Sequence, residues 1–150
     1  MRKILTVCTG NICRSPLAQA MFMMAFREAD GTYMDVSSAG LHALIGRDID
    51  EDSKDAARMI GVELGAHHSR QFNAEIGREA DIILVMEHHH RRDIQRRWPH
   101  LSGKTFLLGH FENSKEIPDP YKRGRSMHLH AAEMMQASVA HWVRQLRDMA

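Results

Sequence analysis

The sequence predicts an α/β fold of the doubly wound kind, and two observations carry that prediction. Short apolar segments of strand length alternate along the chain with segments of helical pattern. The strongest strand candidate, Ala80 to Met86 (ADIILVM), has an unbroken apolar core. Such a run is buried on both faces, as in a parallel sheet covered by helices. With 150 residues, the chain has the size of one ordinary domain.

The elements follow in order. Ile4 to Cys8 (ILTVC) is an apolar run between Lys3 and Gly10 and reads as a buried strand. Ser15 then suits a helix N-cap and Pro16 the first turn. The helix continues through LAQAMFMMAFREA, its apolar face wide enough to press on a sheet, and Gly31 ends it. Met34 to Ser38 is a second strand, left through Ala39 and Gly40. Asp50 to Ile60 begins acidic and ends basic, which complements a helix dipole, and Gly61 stops it. Ala80 to Met86 is the third strand. Glu87 to Trp98 is a polar helix stopped by Pro99, and Thr105 to Leu108 is the fourth strand. Glu112 to Arg125 is a polar loop with two prolines. Met127 to Met149 is a long amphipathic helix with Leu129, Ala132, Met135, Val139, Trp142, Val143 and Leu146 on one face.

Composition excludes several classes. There are 20 Lys and Arg against 19 Asp and Glu, so no general field favours nucleic acid or an acidic membrane. Two cysteines are too few for a disulfide scaffold. No apolar run approaches the roughly 20 residues of a membrane span. The opening MRKILTVC is too short for a signal-peptide core, so a cytoplasmic protein with reduced thiols is expected.

In open α/β sheets, ligands bind beyond the carboxyl ends of the strands. The first strand ends at Cys8, and Cys8-Thr9-Gly10-Asn11-Ile12-Cys13-Arg14-Ser15-Pro16 leads from it into a helix. Such a loop can curl with its backbone N–H groups inward, forming an anion nest. Gly10 and Asn11 tolerate the left-handed backbone that a curl needs. The helix start adds N–H donors and partial positive charge. Arg14 supplies a planar fork matched to two phosphate oxygens. In this setting Cys8 is expected to be a thiolate at neutral pH, with Ser15 donating to its sulfur. The loop lacks the Gly-Lys-Ser/Thr ending of a nucleotide-binding P-loop. A sulfur nucleophile in a phosphate cradle fits phosphomonoester hydrolysis. That reaction needs a general acid for the leaving oxygen. Asp119 is the candidate, because Pro118 and Pro120 hold it rigidly on its loop.

These residues resemble the low-molecular-weight protein-tyrosine phosphatase family. The shared pattern is Cys-x5-Arg-Ser/Thr near the start and Asp119-Pro120-Tyr121 far downstream. Ser38-Ala39-Gly40, His67-x-Ser69-Arg70-Gln71, Asp81 to Met86 and Gly109-His110-Phe111 match in order, so the likeness spans nearly the whole chain. Ser38 to Gly46 and Glu116 to Tyr121 are most similar to bacterial members tied to capsule and exopolysaccharide export. The resemblance implies a four-stranded parallel sheet with helices on both faces. It implies Cys8 as nucleophile, Arg14 as phosphate ligand and Asp119 as acid and then base. Thr9, Gly10, Ile12 and Cys13 would give backbone N–H groups. Asn11 would hold the left-handed geometry, supported by Ser15, Ser38 and His67. Tyr121 would form one wall of the substrate slot, and Leu44 stands where many eukaryotic-type members carry an aromatic residue. A reversible Cys8–Cys13 disulfide is a further family property, against packing of Cys13 as a small hydrophobe. The implied substrate is phosphotyrosine on protein, above all on a membrane-bound tyrosine autokinase, with phosphate or other oxyanions as competing ligands. No cofactor, metal, nucleic acid or membrane insertion is implied.

Two rivals remain at this level. An arsenate reductase of the same fold needs two further cysteines downstream, and none follows Cys13. A phosphocysteine carrier, or an anion-binding module without turnover, has no use for Asp119 or for the Arg14 fork. His88-His89-His90 is read as a solvated face, because adjacent helical residues point in different directions. The methionines, together with Tyr33 and Trp142, are read as packing residues without a functional role.

Overall fold

The computed structural model describes residues 2–28 and 34–148. Four strands form one parallel sheet: β1 (Lys3–Cys8), β2 (Asp35–Gly40), β3 (Ile82–Val85) and β4 (Thr105–Leu107), in spatial order β2-β1-β3-β4. Among the described residues, five α-helices accompany them: α1 (Arg14–Glu28), α2 (Glu51–Met59), α3 (Ala74–Glu79), α4 (His88–Arg97) and α5 (Arg125–Asp148). A 3₁₀ turn, Pro99–Lys104, leads into β4. The four-stranded parallel sheet with helices on both faces is the architecture expected from sequence.

The two faces follow from strand periodicity. Ile4 and Cys8 of β1, with Ile82 and Leu84 of β3, join one core with residues of α1, α2 and α5. Leu5 and Val7, with Ile83 and Val85, join a second core with Phe72, Ile94 of α4 and Leu101. All four residues of β3 are buried, as its unbroken apolar run predicts. The strand order reverses beside β1, so the crevice beyond its carboxyl end is open to a ligand.

Several boundaries differ from expectation. β2 runs on to Gly40, because its last residues continue the parallel register to Cys8. α3 was not expected; it is only one to two turns long, and its signal is the cap, where Asn73 Oδ1 accepts from Ile76 N–H at 2.8 Å. α5 starts two residues early, just after Gly124, whose φ of 94° breaks the loop. α1 starts at Arg14, so Ser15 lies inside the first turn and is not its N-cap. The expected stop at Gly31, the end at Met149 and the packing of Tyr33 lie outside the described residues. Among the described residues, no helix is long and apolar enough to cross a membrane.

Candidate active site

The loop after β1 is shaped from outside. Five successive carbonyls accept hydrogen bonds from the surrounding shell. Cys8 O accepts from Leu41 N–H at 3.0 Å, Thr9 O from His42 N–H at 2.9 Å and Gly10 O from Leu44 N–H at 3.1 Å. Ile12 O accepts from Asp50 N–H at 2.9 Å, and Asn11 O from His67 Nε2 at 2.7 Å. In a planar trans peptide the C=O of one residue and the N–H of the next point opposite ways. With the carbonyls of 8 to 12 turned out, the amides of Thr9, Gly10, Asn11, Ile12 and Cys13 turn in. The result is a cup of amide donors.

One residue takes the left-handed backbone this requires. Asn11 has φ of 59°, whereas Gly10 keeps φ outside that region. The expectation that Gly10 would share the left-handed role is therefore corrected. A Cβ on Gly10 would meet only the side chains of Ile12 and Leu44, at 3.8 and 3.9 Å. Asn11 is fully buried and tied on three sides. Its Nδ2 donates to Ser15 Oγ at 2.8 Å and to Ser38 Oγ at 2.9 Å, and its Oδ1 accepts from Arg70 N–H at 2.9 Å.

This network aims a proton at the nucleophile candidate. Ser15 Oγ accepts from Asn11 Nδ2, so its own hydrogen has two acceptors to choose from, Cys8 Sγ at 2.9 Å and Ala39 O at 3.4 Å, and the sulfur is the nearer. Asn11 N–H donates to the same sulfur at 3.3 Å. Cys8 is only 2 % exposed, yet it lines a cavity of about 180 Å³. Thr9, Gly10, Ile12, Cys13, Arg14, His42, Leu44, Asp119 and Tyr121 complete its wall. Both cysteines are free thiols.

Arg14 is buried and anchored. Its Nη1 donates to Glu87 Oε2 at 2.7 Å and to Ile117 O at 2.8 Å. Its Nη2 lies 3.7 Å from Asp119 Oδ2. One edge of the guanidinium is thus fixed and the other faces the cavity. The Asp119 side chain is 47 % exposed at the cavity mouth, where its Oδ1 accepts from Tyr121 N–H at 3.1 Å.

Four residues of this site escaped sequence reasoning. Glu87 pins Arg14; its position just past β3, at the carboxyl edge of the sheet, was the available signal. His42 lines the cavity. Gly40 is where β2 passes closest to the loop: a Cβ there would sit 2.5 Å from Thr9 O. His90, read as part of a solvated histidine face, is buried, while His88 and His89 are exposed. Burial, reinforced by the Arg14 charge, pushes its imidazole down to about 3. The ring is therefore neutral. Its Nδ1 accepts from Glu87 N–H at 3.1 Å, so Nε2 carries the hydrogen and donates to Thr9 Oγ1 at 2.9 Å.

Known proteins bear on this arrangement. The family described as low molecular weight phosphotyrosine protein phosphatase matches residues 3–149. The chain belongs to that family. It is a protein-tyrosine-phosphatase, and its similarity to single members is full-length. The low molecular weight protein-tyrosine-phosphatase Ptp of Acinetobacter johnsonii is 35% identical over 145 residues, which cover 97% of this chain and 98% of that protein. The tyrosine phosphatase Wzb of Escherichia coli K30, solved with sulphate, superposes with a TM-score of 0.90 at 34% identity, covering 96% of this chain and 97% of that one. An arginine phosphatase, YwlE of Geobacillus stearothermophilus, superposes with a TM-score of 0.89 at 30% identity, covering 99% of this chain and 95% of its own. The phosphatase thus shares its fold with enzymes of two substrate names.

Proposed function

We propose that the phosphatase hydrolyses phosphotyrosine on protein through a phosphocysteine intermediate on Cys8. The observation that carries this reading is the cup itself: five carbonyls turned outward around a sulfur at the cavity floor, with Asp119 across from it. In the first step Cys8 sulfur attacks phosphorus and the bond from phosphorus to the tyrosine oxygen breaks. Asp119 gives its proton to that oxygen, and tyrosine leaves. In the second step water attacks phosphorus, Asp119 takes the water's proton, and the sulfur leaves with the electron pair. The Ser15 hydroxyl donates to that departing sulfur. Amides of the cup and the Arg14 fork hold the three equatorial oxygens through both steps.

Aryl phosphate is favoured over alkyl phosphate by reach, since the sulfur belongs to a residue only 2 % exposed in a cavity whose wall includes Leu44 and Tyr121. Phosphoarginine is the alternative that the fold admits. A guanidinium would want carboxylate partners, and among the described residues Asp119 is the only carboxylate lining this cavity. As physiological substrate we propose a membrane-bound tyrosine autokinase that governs exopolysaccharide export, reached from the cytoplasm. The likeness of Ser38 to Gly46 and Glu116 to Tyr121 to that branch of the family supports it. Initial rates on peptides differing only in phosphotyrosine, phosphoserine or phosphoarginine test the reading. Preference for phosphotyrosine is expected; faster release from phosphoarginine would overturn it.

A further inference from the structure

Around the cup, the side chains of Cys13, Asp50 and His128 form a cluster that takes no part in the reaction above. The three come from separate elements: the start of α1, the residue before α2, and the first turns of α5. Their ligand atoms all lie within 4.8 Å of one another. His128 is 2 % exposed, and its Nε2 is buried with no hydrogen-bond partner among the described residues. An imidazole nitrogen left bare in a closed site costs free energy unless something else binds it. His128 Nε2 lies 3.7 Å from Asp50 Oδ2, too far for a hydrogen bond. Nitrogen and oxygen ligands around a tetrahedral zinc ion stand about 3.3 Å apart, so a small shift would let both ligate one ion.

The surroundings orient the donors for that task. His128 Nδ1 pairs with Ser53 Oγ at 2.8 Å. If Nδ1 carries the hydrogen, the Nε2 lone pair faces the cluster, as a ligating histidine requires. Asp50 is half-buried, which leaves a route for an ion, and its N–H holds Ile12 O of the cup.

We propose that Cys13, Asp50 and His128 form a binding site for a divalent cation of the zinc class. Binding exchanges the thiol proton for the ion: the S–H bond breaks, the sulfur keeps the electron pair and ligates, and the proton goes to solvent. One water completes four coordinates. Because Cys13 contributes an amide to the cup, the ion would brace the phosphate loop and withhold this thiol from oxidation.

Cobalt(II) is the probe, since a thiolate ligand gives it a sulfur-to-metal charge-transfer band in the near ultraviolet. The full chain, stripped with chelator and reduced, is titrated in phosphate-free buffer. The expected result is a band saturating at one equivalent, bleached by zinc, present in Cys8→Ser and absent in Cys13→Ser. Affinity should drop at least tenfold in His128→Gln and Asp50→Asn, and about 10–100-fold in Ser53→Ala. It should also weaken about tenfold for each pH unit of acidification, as one proton is released. No band in the wild-type protein would overturn the proposal. So would a band that survives Cys13→Ser or disappears in Cys8→Ser, which would place the ion on the nucleophile. If Cys13→Ser loses its circular dichroism, the Asp50→Asn and His128→Gln titrations decide, and unchanged affinity in both overturns it.

Discussion

Replacing Asn11 by alanine should loosen the cup and destabilise the fold together. Asn11 makes three side-chain hydrogen bonds, at 2.8, 2.9 and 2.9 Å, two of them buried and the one to Arg70 part-buried. At a net of about 0.5–1.5 kcal/mol each, their loss costs about 1.5–4.5 kcal/mol. Alanine must also hold φ near 59°, a left-handed backbone that costs an L-residue about 1–2 kcal/mol. Asparagine tolerates that conformation better, so about 1 kcal/mol of this is new. The sum is about 2.5–5.5 kcal/mol, most of it below the roughly 5–15 kcal/mol stability of a typical domain, so the variant should still fold. Asn11→Gly loses the same hydrogen bonds without the backbone penalty and should recover about 1 kcal/mol relative to alanine. Urea unfolding at neutral pH, read as midpoint at constant slope, measures all three proteins. Activity on an aryl phosphate should fall in both variants. A loss under about 1 kcal/mol in Asn11→Ala, or a glycine variant no more stable than the alanine one, would refute the reasoning.

Asp119→Ala should slow turnover of substrates with poor leaving groups by about 10²–10⁴-fold and of good ones far less; equal losses in a series of aryl phosphates would remove Asp119 from the acid role. His90 titrates far below the ordinary imidazole, so protonation favours the unfolded chain. Its contribution to stability is complete above about pH 6.5 and is lost as pH falls toward about 3, at about 1.4 kcal/mol per pH unit. His90→Gln should flatten that part of an acid denaturation profile, and an unchanged slope would contradict it. Mild peroxide should inactivate the chelator-stripped protein reversibly by added thiol, because Cys13, with no ion holding its sulfur, can trap an oxidised Cys8 as a disulfide. Burial pushes the Cys13 thiol up to about 12, so Cys13 itself should be oxidised slowly. Cys13→Ser should recover far less activity after peroxide; equal recovery would deny Cys13 the protective role.

What could be read from sequence was what is local. Cys8 to Ser15 is one continuous segment, and its strand, turn and helix signals lie within a few residues of each other. β3 was legible because IILV can be buried on both faces only in a covered sheet. What escaped depends on packing between distant segments. Glu87 reaches Arg14, and His90 reaches Thr9, only because β1 and β3 are neighbours in the parallel register. His90 shares a tripeptide with two exposed histidines, and only the helix rotation of α4 turns it inward. Gly40 is required by the 2.5 Å that would separate a Cβ from Thr9 O, a spacing that composition does not encode. Ser15 before Pro16 carries the pattern of a cap, but the helix begins one residue earlier, at Arg14. The meeting of Cys13, Asp50 and His128 likewise exists only once α2 and α5 have packed.

The account stands on covalent chemistry at one sulfur. Rapid quenching during turnover of a phosphotyrosine peptide, followed by digestion and mass spectrometry, measures it directly. One phosphate is expected on the peptide that contains Cys8, formed and lost at rates that match turnover, and none in Cys8→Ser. Continued turnover with no phosphate on Cys8, or full activity in Cys8→Ser, would contradict it.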